Sequence, residues 1–360
     1  MIKRAPEIKL PGLLRLAMSG GGDTNLDERT SYTGYARFAL LNVLKVLGLG
    51  RGDRILLPAY ICDVVLLPLA ELGIEPLYYR ITHDFQVEWE SVELTPGTRA
   101  FISVNFFGVS QDFSSIADFC AANGLVWLND NAHGFASCLG DQSLEGFGDF
   151  SFTSFRKVIG SLNGGRVRIN NDRLLPLKAE LDRLNGLAPP EPRLRYLVAA
   201  ALRTAGVRLR ALPDFSDPRG FCEDDLKGYQ LDDLASRQLR QSEEAMIRQR
   251  RRTLYQALEV FLLTTGRKQM LPIPRLLREG NSPLVLPVLA ANRDMWLALL
   301  RQACRHGLDL HTWPSLPGPV LDNNICGAAD LWGKMLFLPL HQDLDAEAYL
   351  SLLEKVLDAV

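Results

Sequence analysis

Residues 123–170 read NGLVWLNDNAHGFASCLGDQSLEGFGDFSFTSFRKVIGSLNGGRVRIN. It holds three short apolar runs, LVWLN (125–129), DFSFTSF (149–155) and GRVRIN (165–170). Each is too short for a helix and is bounded by Gly, Asn or Asp, the pattern of a strand. Toward the N-terminus the same kind of run recurs as RILLP (54–58), PLYYRI (76–81) and RAFISVNFF (99–107). Between the runs lie helical stretches. YARFALLNVLKVLGLG (35–50) carries apolar Phe38, Leu41, Leu44 and Val46, and DFSSIADFCAANG (112–124) opens on a capping Asp112 and closes at Gly124. Strand and helix in alternation is the rhythm of βαβ units around a mostly parallel sheet.

Past Asn171 the character changes to Arg-rich helical stretches broken by NGLAPPEP (185–192) and ALPDFSDPRG (211–220), whose Pro and Gly mark linkers. A long amphipathic segment from Leu231 to Leu263 leads to PLVLPVL (283–289), RDMWLALLRQACRHG (293–307), LDLHTW (308–313), MLFLPL (335–340) and a final helix from Asp345. The expected organisation is an N-terminal arm and loop (1–32), a large domain with a mostly parallel sheet (33–230), a bridging helix region (231–282) and a small C-terminal α/β domain (283–360). Within the bridge, RQRRR (248–252) reads as a solvated helix face in preference to a phosphate site. SGGGD (19–23) reads as a loop.

A chain of 360 residues with 47% hydrophobic content can bury its own core without staples. Forty Lys and Arg against 42 Asp and Glu leave a net charge of −2, which gives no field to attract nucleic acid or anionic lipid. Six cysteines without a CxxC pair read as reduced thiols. Pro and charge interrupt the N-terminus where a signal peptide would need an apolar run, and no apolar stretch approaches a membrane span. The expectation is a cytoplasmic protein with no membrane and no nucleic-acid partner. None of the five histidines falls in a zinc-protease spacing, so no metal is expected.

In an open parallel sheet, ligands sit beyond the carboxyl ends of the strands. Asp130 and His133 follow LVWLN there; Ser151, Thr153, Ser154 and Lys157 end or follow DFSFTSF; and the mouth of the first helix offers backbone amides to an anion. An acid, a lysine and a helix-mouth anion site are what pyridoxal phosphate requires. The lysine forms a Schiff base, the acid keeps the pyridine nitrogen protonated, and donors hold the phosphate. From spacing alone, an Asp after a strand is more often a turn or helix cap, and a single Lys beside Arg156 is more often a surface cation. His311 and Trp313 read as core more readily than as substrate contacts.

Taken together, YARFALLNVLKVLGLGRGDRILLPAYICDVV, LGIEPLYYRI, GTRAFISVNFFG, NGLVWLNDNAHGF and FSFTSFRKVIGSLNGGRVRIN resemble the DegT/DnrJ/StrS family of aminotransferases in order and spacing. LDDLASRQL with RQRRRTLYQAL, and FLPLHQDLDAEAYLSLLEKVL, extend the likeness toward the C-terminus. The resemblance implies a fold type I PLP-dependent transferase. It implies a homodimer with a shared active site, and transfer of an amino group, with glutamate as donor, onto the keto group of a nucleotide-linked sugar in polysaccharide or natural-product biosynthesis. Carried over by position, Lys157 is the Schiff-base lysine and proton carrier, Asp130 the partner of the pyridinium nitrogen, and His133 a neighbour of the cofactor's phenolic oxygen. Ser154, or less directly Thr153 or Ser151, would hold the phosphate with the amides of Ala36 and Arg37.

This chain departs from the family at several places. Tyr35, Ala36 and Arg37 stand where Ser-Gly-Thr is usual. Cys62 occupies the stacking aromatic's position, which leaves Tyr60 or another group to cover the ring. Ser154 lies three residues before the lysine, and Tyr229 and Gln230 fall where the partner's asparagine is expected. The branch that removes a sugar hydroxyl replaces the lysine with His, whereas Lys157 is kept here. Two alternatives stand beside the main reading: a PLP enzyme acting on an amino acid or non-sugar ketone, and a non-catalytic PLP-fold binding protein.

Overall fold

The structure, a computed structural model, describes residues 2–3, 5–19, 27–207, 226, 228–265, 269–273 and 276–360. Its centre is a seven-stranded sheet in the order β1-β9-β8-β5-β4-β2-β3, formed by β1 (Thr30–Thr33), β2 (Arg54–Pro58), β3 (Glu75–Tyr79), β4 (Thr98–Val104), β5 (Val126–Asp130), β8 (Phe150–Thr153) and β9 (Gly165–Ile169). A small hairpin of β6 (Cys138–Leu139) and β7 (Gln142–Ser143) lies between β5 and β8 in sequence. Strands β3, β2, β4, β5 and β8 are parallel neighbours, while β9 runs antiparallel between β8 and β1.

Both faces of the parallel strands are covered, which is why they read as continuous apolar runs rather than as alternating ones. Ile55, Leu57, Ile102 and Leu128 enter one core, while Leu56, Phe101 and Trp127 enter another on the opposite face. The helices that cover them include α2 (Ala36–Val46), α3 (Leu66–Leu72) and α4 (Phe113–Asn123), whereas α1 (Leu10–Met18) packs apart from the sheet, its Leu13 and Leu16 clustering with Ala200. Asp112 caps α4 through the Ser115 N–H at 3.2 Å, and Gly124 ends it in the left-handed region at φ 62°.

After α5 (Arg156–Ile159) come α6 (Lys178–Gly186), α7 (Leu194–Thr204), α8 (Asp233–Arg240) and α9 (Glu244–Thr264). The segment expected as one long helix from Leu231 to Leu263 is therefore two, parted at Gln241–Glu243. Neither Pro nor Gly marks that break. A second sheet of order β10-β11-β12 is built from β10 (Met270–Pro272), β11 (Val285–Ala290) and β12 (Met335–Pro339), all antiparallel. It carries α10 (Arg293–His306), α11 (Gly318–Asn323), α12 (Ala328–Trp332) and α13 (Ala346–Asp358).

Three expectations are corrected here. Strand β1 starts before residue 33, so the large sheet reaches into the segment read as an arm. Strand β10 belongs to the small sheet although it lies in the stretch read as a bridge. LDLHTW forms no strand, only single bridges from Leu308 to Ile2 and from His311 to Phe337. Most of SGGGD and all of ALPDFSDPRG lie outside the described residues. Among the described residues, no helix is long and apolar enough to cross a membrane.

The Gly164-Gly165 pair lets β9 begin hard against the mouth of α2. Gly164 has φ +144°, and a Cβ there would sit 2.1 Å from the Phe155 ring; one on Gly165 would sit 2.6 Å from the Ala36 nitrogen. Gly164→Ala is expected to cost about 3 kcal/mol through strain and overpacking, seen as a lower thermal midpoint and a smaller soluble yield.

Candidate active site

The carboxyl ends of β2, β4, β5 and β8 open into one cleft. This is where an open parallel sheet places its ligands. Lys157, Asp130, His133, Ser154, Cys62, Ala36 and Arg37 all line it. Asp130 ends β5 and stands between Val104 of β4 and Phe152 of β8 in register. Lys157 enters on the single turn α5, which follows β8 directly.

Burial raises the Asp130 carboxyl above its ordinary value; the Ala132 N–H, donating to Oδ1 at 2.9 Å, and the Lys157 charge pull the other way. A cation placed at this carboxylate would relieve the desolvation cost. His133 is held neutral, well below its ordinary value, first by burial and second by the Lys157 charge. Its Nδ1 accepts the Phe107 N–H at 3.3 Å, which leaves the proton on Nε2. Phe107, at φ 58°, is a non-glycine residue in the left-handed region, and its ring stacks along the imidazole at 6.4 Å. Such strain is tolerated where the surroundings hold it. Trp313 stands edge-on to the same imidazole at 5.4 Å.

The other expected residues divide. Tyr60 is not on the cleft wall: it is 1% exposed and packs against Phe85, Phe106 and Trp313, with no partner for its hydroxyl among the described residues. The stacking role considered for it is corrected accordingly. Cys62 does reach the wall, with Sγ 3.5 Å from Ser315 Oγ, and burial pushes its thiol up to about 11, so it is no nucleophile at neutral pH. Thr153 and Ser151 are also turned away from the cleft. Thr153 accepts from Asn131 Nδ2 at 3.1 Å and Ser151 from Asn129 Nδ2 at 3.4 Å. Of the three hydroxyls considered, only Ser154 lines the cleft.

Tyr35, Arg156 and Trp313 line the cleft although the sequence reading gave none of them a role there. Tyr35, the residue before α2, supplies no side-chain cap; its hydroxyl donates to Glu191 at 2.7 Å, and burial, then Glu191, push it up to about 12. The guanidiniums of Arg37 and Arg156 lie over the same ring at 4.9 and 5.1 Å, so the mouth of α2 is cationic. Arg156 was legible only as the neighbour of Lys157. Trp313, read as core, is on the wall. Tyr229 meets Tyr35 edge-on at 6.1 Å and its carbonyl accepts the Gly34 N–H at 2.7 Å. Gln230 donates to the Gly186 carbonyl at 2.7 Å. Among the described residues, no cluster of His, Cys, Asp and Glu is arranged to hold a metal.

The model of the DegT/DnrJ/EryC1/StrS aminotransferase family matches residues 33–208, the span that contains the lysine, the aspartate and the helix mouth. Over those residues the chain matches this family. Among curated members, GDP-perosamine synthase of Vibrio cholerae is 28% identical over 142 residues, covering 38% of this chain and 39% of that protein. UDP-2-acetamido-2-deoxy-3-oxo-D-glucuronate aminotransferase of Pseudomonas aeruginosa is 31% identical over 143 residues, covering 38% and 40%. The chain thus spans about two fifths of the length of the curated relatives it matches. The aminotransferase fold itself covers nearly the whole chain. PseC of Helicobacter pylori, an aminotransferase involved in the biosynthesis of pseudoaminic acid, superposes with a TM-score of 0.71 at 17% identity, covering 96% of this chain and 94% of that one. NtdA of Bacillus subtilis, solved with bound cofactor PMP, gives 0.62 at 17%, covering 92% and 73%.

Proposed function

We propose that the cleft binds pyridoxal 5'-phosphate and transfers an amino group from a donor amino acid, with glutamate the expected one, to the keto group of a nucleotide-linked sugar. The observation that carries this is the convergence of Lys157 and Asp130 on one cleft at the ends of adjacent parallel strands. The residues fit the cofactor: a lysine amine for its aldehyde, a buried carboxylate for its ring nitrogen, and a cationic helix mouth with Ser154 for its phosphate. When bound, its protonated ring draws electrons from the carbon that carries the amino group and makes that C–H acidic.

Each residue then has a defined task. Asp130 keeps the ring nitrogen protonated. Lys157 Nζ would hold the cofactor through its aldehyde and would be the group that takes up and returns the substrate's proton. His133 presents Nε2–H as a donor toward an oxygen anion. Arg37, Arg156 and the first amides of α2 offer charge to the phosphate.

We further propose that the enzyme works as a homodimer. Exposed apolar residues support this reading: Leu14 and Met18 on α1, with Leu194 and Val198 on α7, which packs beside α1. A cytoplasmic setting agrees with the five cysteines among the described residues, all free thiols.

A panel of keto-sugar nucleotides mixed with the pyridoxamine form tests the substrate. At least one is expected to restore the visible absorbance band within one turnover, and the protein is expected to run as a dimer in light scattering. The paired guanidiniums at the helix mouth favour one second reading, a small anionic keto acid or ketone as acceptor. Turnover with such compounds and with no sugar nucleotide would make it the correct one.

A further inference from the structure

The RQRRR run is a solvated face only in part: Gln249 and Arg250 are exposed, but the other three arginines turn inward. Arg248 donates to the Ala136 carbonyl at 2.9 Å, Arg252 to the Arg278 carbonyl at 2.6 Å, and Arg251 is 0% exposed in the middle of α9. Within salt-bridge distance of Arg251 there is no carboxylate among the described residues. A guanidinium buried this way is costly unless every donor is met and the site needs it. All four acceptors of Arg251 are neutral. Nε donates to Gln342 Oε1 at 3.3 Å, Nη1 to the carbonyls of Pro283 and Leu284 at 3.2 and 3.5 Å, and Nη2 to the Val158 carbonyl at 3.2 Å.

Val158 directly follows Lys157, and the turn that carries them is four residues long. A single turn is not stable by itself, and its last carbonyls have no partners within the helix. Here they are met one after another by side chains from separate elements. Val158 accepts from Arg251 and from Gln342 Nε2 at 3.3 Å, Ile159 from Gln238 of α8, and Gly160 from the Tyr196 hydroxyl of α7 at 3.2 Å. Two of the contacts on Arg251 come from residues that lead into β11 and one from Gln342, three residues past the end of β12. One guanidinium therefore ties the lysine turn to the small sheet.

We propose that Arg251 is a positioning residue: through the Val158 carbonyl it fixes the backbone that aims Lys157 into the cleft and sets that backbone against the small sheet. That Lys157 is the reactive amine rests on the function proposed above, so the test keeps the two apart. Cofactor-free protein is labelled with trace acetic anhydride, and the acetylation rate of Lys157 is read by peptide mass spectrometry relative to that of Lys45 and Lys178. Release of the turn is expected to change the Lys157 ratio by about threefold or more in Arg251→Met and in the milder Gln342→Leu, with Arg251→Lys recovering part of it. The same variants are then given pyridoxal phosphate and borohydride, and the rate of trapping on Lys157 is expected to fall by a similar factor.

A Lys157 ratio and a trapping rate that match wild type in Gln342→Leu and in Arg251→Lys, whatever happens to the thermal midpoint, would make Arg251 a structural group only and overturn the proposal. Should Arg251→Met fail to fold, those two variants decide it. Absence of trapping in wild-type protein would overturn the functional reading instead, and the acetylation ratio would still decide the positioning role.

Discussion

Lys157→Ala is expected to yield a folded protein that takes on no visible band with pyridoxal phosphate, resists borohydride trapping, and runs both halves of amino transfer at least about 10⁴-fold slower. The size follows from two losses at one position, the covalent anchor and the proton carrier. A positioned acid–base group alone is worth about 10²–10⁴. The fold should survive, because α5 is held by its backbone carbonyls and not by the lysine side chain, and alanine suits a helical turn. Lys157→Arg separates charge from chemistry. It keeps a cation beside Asp130 and His133, yet a guanidinium does not give up its proton at neutral pH, so activity should stay lost while cofactor phosphate affinity is largely kept. Lys157→Ala should also raise the Asp130 carboxyl further, since the Lys157 charge is one of the two groups now lowering it. A folded Lys157→Ala protein that still acquires the band would overturn the assignment.

How much of this could be read from residues follows from how far each feature reaches along the chain. The strands were legible because both sides of the sheet are covered, so RILLP and LVWLN stand out as unbroken apolar runs, and RILLP matches β2 residue for residue. Asp130 and Lys157 were legible because ends of parallel strands are where ligands sit, and a strand end is a local feature. Which hydroxyl faces the cleft was not. All four residues of β8 are buried, so alternation does not tell Thr153 from its neighbours, and only contacts with Asn131 and Asn129, more than 20 positions away, reveal that Thr153 and Ser151 point elsewhere. Tyr60 misled for a related reason. It follows β2 in irregular chain, where side-chain direction has no period, and its place is decided by Phe85, Phe106 and Trp313. Three of the arginines in RQRRR were misread because a run of charge normally means water. The acceptors that absorb Arg251 come from three separate segments, at Val158, Pro283–Leu284 and Gln342, and nothing local announces them.

Asp130 carries the other large effect, and its two states should respond with opposite sign. In the cofactor-free protein its folded pKa lies above the ordinary value of 3.8, because burial disfavours the charge. A group raised in this way contributes stability below its unfolded pKa and loses it as pH climbs through the folded one. At neutral pH the ionised Asp130 therefore costs stability. Asp130→Asn, which keeps the acceptor for the Ala132 N–H, should raise the thermal midpoint of the cofactor-free protein, and the difference should fade as pH falls toward 4. With cofactor the order reverses. The ring nitrogen loses the anion that keeps it protonated, the electron demand that acidifies the substrate C–H falls, and turnover should drop roughly 10³-fold, equivalent to about 4 kcal/mol of barrier. Cofactor should also stabilise Asp130→Asn less than it stabilises wild type, since a charge pair formed only in the bound protein is missing. Thermal melts with and without pyridoxal phosphate between pH 4 and 8 measure both signs at once. Equal midpoints for the two cofactor-free proteins at pH 8, or undiminished turnover in Asp130→Asn, would separate this carboxylate from the ring nitrogen it is assigned to hold.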